Sequence, residues 1–109
     1  MFLDKYLNNT YLNILYDNYE EFFIESLDEK NFKKVYNILK NNNFNYINDI
    51  IINYLELFTI EPKYVFNALI DIKNILGKDY VNMIGNDMTI LDRIIELSNK
   101  YEEKDITKE

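Results

Sequence analysis

Histidine, cysteine and tryptophan are absent from this 109-residue chain, and Arg93 is its only arginine. These absences remove the commonest general base and metal ligand, the thiol nucleophile, and the forked donor that grips phosphate. Without cysteine there is no disulfide scaffold, no zinc finger and no thiol chemistry. Without histidine none of the hydroxyls of Thr10, Ser26, Thr59, Thr89, Ser98 and Thr107 has an imidazole to activate it. The Glu-x-x-His pairs of a di-iron helical bundle cannot occur either. The two glycines, Gly77 and Gly85, stand alone, so no phosphate-cradling loop exists. The turn Gly85-Asn86-Asp87-Met88 offers too few oxygen ligands for calcium and reads as punctuation between helices. Carboxylates are plentiful, but no spacing singles out an acid–base pair. The reading is of a non-enzyme with no cofactor and no metal.

Long apolar runs are also missing. Ile50-Ile51-Ile52 and its neighbours fall far short of the roughly 18 residues that span a membrane. The start, MFLDKYLNN, is interrupted by Asp4 and shows no continuous apolar stretch, so no secretory signal is expected and the cytoplasm is the default location. Few Ala, Gly and Pro beside abundant Asn, Lys, Ile, Tyr and Phe is the signature of an AT-rich genome.

What is present is the material of one helical domain. Hydrophobic residues make up 48% of the chain, enough for a core without staples at this length. Apolar side chains recur at i, i+3, i+4 and i+7 almost throughout, while strict alternation is nearly absent. The pattern predicts an all-α fold of about five helices over residues 1–103, followed by a charged, frayed tail at 104–109.

A first helix is expected from Thr10 to Leu27, turning Leu12, Leu15, Tyr16, Tyr19, Phe22, Phe23 and Leu27 inward, with a short separate turn before it. A second runs from the cap Asp28 to Asn41 over Phe32, Val35, Tyr36 and Leu39. The third, Asn45 to Phe58, has an apolar arc wide enough to be central. The fourth begins at Pro62 and stops at Gly77. Its two stripes, Val65-Ala68-Leu69-Ile72-Leu76 and Phe66-Ile70, imply that it is sandwiched. After a short helical or irregular segment at Lys78–Ile84 and a turn at Gly85–Asp87, Thr89 and Asp92 suggest a capping box for a last helix to Glu103. Val35-Tyr36-Asn37-Ile38-Leu39 echoes Val65-Phe66-Asn67-Ala68-Leu69 at a spacing of 30 residues, and Leu12-Asn13-Ile14-Leu15 is a shorter echo. Such periods fit stacked, solenoid-like helical hairpins. An irregular bundle with chance repetition is the plainer alternative.

Two features point to a partner. The net charge is −7, which repels nucleic acid and anionic membranes and favours a basic protein. Lys33, Lys34 and Lys40 form the only basic cluster, without interleaved aromatics. Between Asp17 and Glu29 lie six carboxylates and no cation. On one helix Asp17, Glu21 and Glu25 stack at i, i+4 and i+8, and Asp28 and Glu29 extend the stripe. The alternative is an ordinary solvated face.

The second feature is the excess of aromatics, 10 Tyr and 7 Phe. Tyr11, Tyr46 and Tyr64 fall off the main stripes and are expected at the surface, where tyrosine suits interfaces. The functional expectation is a small acidic domain that occludes a basic partner such as a nuclease or nucleic-acid-binding enzyme, in the manner of an immunity protein or inhibitor. A structural subunit that homo-oligomerises or caps a larger complex through its aromatics is the alternative.

Overall fold

The computed structural model describes residues 1–107, and Lys108 and Glu109 lie outside the described residues. A 3-10 turn at Phe2–Lys5 leads into α1 (Asn9–Asn18) and α2 (Glu21–Glu25). These are followed by α3 (Glu29–Asn41), α4 (Ile47–Asn53), a second 3-10 turn at Leu55–Thr59, α5 (Pro62–Leu76), α6 (Tyr80–Asn86) and α7 (Ile90–Thr107). No strand occurs among the described residues. The all-α expectation holds. Among the described residues the count of five becomes seven because the first expected helix is divided into α1 and α2 and the segment after Gly77 is helical, while the third expected helix ends in a 3-10 turn.

Local chemistry sets most boundaries. Asn8 caps α1 by accepting from the Tyr11 amide at 2.9 Å. Asp28 caps α3 by accepting from the amides of Lys30 (2.9 Å) and Asn31 (3.4 Å). Asn43 takes a left-handed φ of 68° after α3, a conformation asparagine tolerates. Pro62 opens α5, and Gly77, at φ 88°, ends it. The expected Thr89–Asp92 box is replaced by Asp87, whose Oδ1 accepts from the Thr89 amide at 3.2 Å and its hydroxyl at 2.5 Å. The turn therefore starts at Asp87, and Gly85 and Asn86 are helical.

The first expected helix does not run through. At Tyr19 and Glu20 the backbone is extended, with ψ of 148° and 142°. Tertiary bonds hold the break open. Asn18 Nδ2 donates to the Ile52 carbonyl at 2.7 Å. The Tyr19 hydroxyl donates to Glu56 at 2.7 Å and accepts from the Leu55 amide at 3.0 Å. The same tyrosine satisfies an amide at the joint between α4 and the second 3-10 turn, so one side chain fixes both irregularities.

The molecule is a slab of 37 × 36 × 21 Å, and its short dimension fits two layers of helices about 10 Å thick. α5 packs against α7 on one flank and α3 on the other, α1 packs on α4, and α4 and the second 3-10 turn lie against α3. Phe32, Val35, Leu39, Ile50, Ile51, Leu55, Leu57, Phe58, Val65, Ala68, Leu91 and Ile94 are sealed in the core. Ser98 is the one buried polar side chain among the described residues, and its hydroxyl donates to the Ile94 carbonyl at 2.7 Å. Gly85 lets α6 lie close against the ring of Tyr46, the residue before α4: a Cβ there would meet Tyr46 Cε1 at 3.0 Å. α7 runs beyond Glu103, with Asp105 3.7 Å from Lys63.

Candidate protein-docking surface on α2

The break after Asn18 redirects everything that follows it. In the five-residue α2, Phe23 packs its ring against Tyr19 with centroids 5.7 Å apart, and Ile24 is fully buried. Successive helical residues point about 100° apart, so turning Phe23 and Ile24 inward drives Phe22 and Glu25 outward. Phe22, expected inside, is 82% exposed, the most exposed of the large hydrophobic side chains in the described chain. Tyr16, also expected inside, is exposed. Buried Ile24 takes their place.

Phe22 is surrounded in sequence by Glu20, Glu21 and Glu25, with Asp17 just before the break, and all four carboxylates are exposed. None of them has an ion pair among the described residues. Asp17 belongs to α1, whereas Glu21 and Glu25 belong to α2, so the three do not form one i, i+4, i+8 stack. The acidity is local all the same: the first 29 residues hold seven carboxylates and one cation, Lys5. Asp28 serves as the α3 cap, and Glu29 lies 4.0 Å from Lys5.

The three tyrosines have other positions. Tyr64 is buried, at 6% exposure, against the expectation of a surface ring. Tyr46 is half-buried, its hydroxyl donating to the Val81 carbonyl at 2.5 Å, and burial pushes the phenol up to about 12. Tyr11 is half-buried and shares with Tyr46 and Lys40 an open hollow of about 360 Å³. Tyr11 and Tyr46 are thus brought together around one hollow that Tyr64 does not line. Lys40 shares that hollow with Asp49, and Lys34 shares another with Asp28 and Glu61, so carboxylates interleave the basic cluster.

No group of three carboxylates among the described residues is arranged to hold a metal. No described helix is long and apolar enough to cross a membrane. The chain matches no family model, no curated protein and no solved structure.

The element that sequence periodicity missed is Phe22. The available signal was Asp17 with Glu20 and Glu21, like charges that a continuous helix would crowd at i, i+3 and i, i+4.

Proposed function

We propose that the chain is a non-catalytic, protein-binding domain of stacked helical hairpins that covers a basic surface on its partner, as an immunity protein or inhibitor does. The observation that carries this reading is Phe22, 82% exposed among unpaired carboxylates on a short, well-anchored helix. A large ring held in water has no role in the core. Set among carboxylates, it joins an aromatic anchor of the kind found in hot spots to charge that steers a cationic target. A nuclease or nucleic-acid channel, lined with lysine and arginine for phosphate, presents the complementary surface. Packing of α3 on α5 and of α5 on α7 supports the hairpin description.

The second reading, an assembly subunit, draws on α5. Phe66 and Ile70 are 49% and 42% exposed one turn apart, so the expected sandwiching of that helix is incomplete. Photo-cross-linking tests the first reading. With Phe22 replaced by a photoreactive phenylalanine analogue, irradiation in lysate of the native host should trap a basic protein, with the adduct suppressed by Glu21→Lys. An adduct with an acidic protein, or none, would reject this reading.

A further inference from the structure

On α5, Phe66, Ile70 and Lys73 stand at i, i+4 and i+7, which places them within an arc of about 60°. This is the stripe left uncovered by α3 and α7. It forms one wall of a groove whose other walls are the asparagines at the end of α3 and the first turn of α6. An inner hollow of about 170 Å³ is floored by Phe66, Leu69, Ile70 and Tyr80. It shares Asn42, Lys73 and Tyr80 with a neighbouring hollow of about 510 Å³ that is also lined by Lys78. Lys73 and Lys78 have no ion pair among the described residues. The one carboxylate on the rim, Asp79, is engaged by Asn82 Nδ2 at 2.7 Å.

We propose that this groove is a second docking site, independent of α2, for an amphipathic helix of another protein that carries carboxylates beside its apolar anchors. Anchors one turn apart on such a helix match Phe66 and Ile70, the spacing by which a helix is read in a groove. Lys73 and Lys78 select the charge at its flank. In a chain of net charge −7, two unpaired lysines beside an uncovered apolar stripe favour an acidic segment over a basic one. The apolar floor distinguishes the site from a phosphate track. With α2, the domain then carries two surfaces of opposite preference and can bridge a basic and an acidic partner.

Two synthetic helical peptides test this, each of about 16 residues with Leu at i, i+3, i+4 and i+7. One bears Glu and the other Lys on the flanks, and binding to the full chain is followed by fluorescence anisotropy. The Glu peptide should bind about tenfold or more tightly than the Lys peptide. Lys73→Glu with Lys78→Glu should reverse that order. Ile70→Ser, at an exposed position, should weaken the Glu peptide with the helical circular dichroism unchanged. Equal affinities, a preference for Lys, or no binding of either peptide overturns the proposal. So does sedimentation showing that the wild type self-associates and that the double lysine variant does not, which would assign the groove to a second copy.

Discussion

Tyrosine hydroxyls carry much of the polar organisation of this protein. Tyr19, Tyr46 and Tyr101 each bridge segments 30 or more residues apart, to Glu56, Val81 and Asp71. Removing the Tyr19 hydroxyl leaves the Leu55 amide without its acceptor, so Tyr19→Phe should lower stability by about 1–3 kcal/mol in chemical denaturation. An unchanged midpoint would show that water takes the place of the hydroxyl. The phenols also set an alkaline limit. Burial raises Tyr46 to about 12, from an ordinary value near 10. Burial, then the bond to Glu56, raises Tyr19 further. The folded state therefore holds these protons more tightly than the unfolded chain does. The contribution is complete below pH about 10 and is lost as pH rises through the folded values. Thermal melts should show stability falling from pH about 10 upward, and Tyr46→Phe should make that fall shallower. An equally steep fall in the variant would remove Tyr46 from the account.

At the scale of elements, α3 and α5 were legible because their boundaries rest on local chemistry: Asp28, Pro62 and Gly77. Their inward faces follow a single period, and Leu69, placed in the core by that period, is 3% exposed. Leu69→Ala should cost about 2–5 kcal/mol, as a truncation in a packed interior does. A loss below about 1 kcal/mol would mean that α5 is held chiefly by something outside this chain. The divided helices were not legible, because their breaks depend on partners far away in sequence. Asn18 and Tyr19 stop α1 by bonding to the carbonyl of Ile52, the amide of Leu55 and the carboxylate of Glu56. Periodicity carried across that break assigns Phe22 to the core and stacks Asp17 on Glu21. It fails for the same reason on Tyr64, whose position off the main stripe is covered once the helices pack. The acidic character of the candidate site was readable from composition, while its aromatic centre required the fold.

Across the whole molecule, charge is distributed unevenly. The carboxylates of the first 29 residues meet one lysine, whereas Lys73 and Lys78, beside the uncovered face of α5, have no ion pair among the described residues. Such an arrangement acts on encounter more than on the lifetime of a complex, and its reach shrinks to about 8 Å at physiological salt. The claim that α2 is a docking surface is tested most directly by association kinetics. The partner trapped at Phe22 is mixed with wild type, Glu21→Lys and Phe22→Ala at low and at high salt. All three proteins should fold, since both side chains are exposed. Glu21→Lys should slow association about tenfold at low salt and flatten its salt dependence, while Phe22→Ala should chiefly speed dissociation. Association and dissociation rates identical to wild type in both variants would contradict the account.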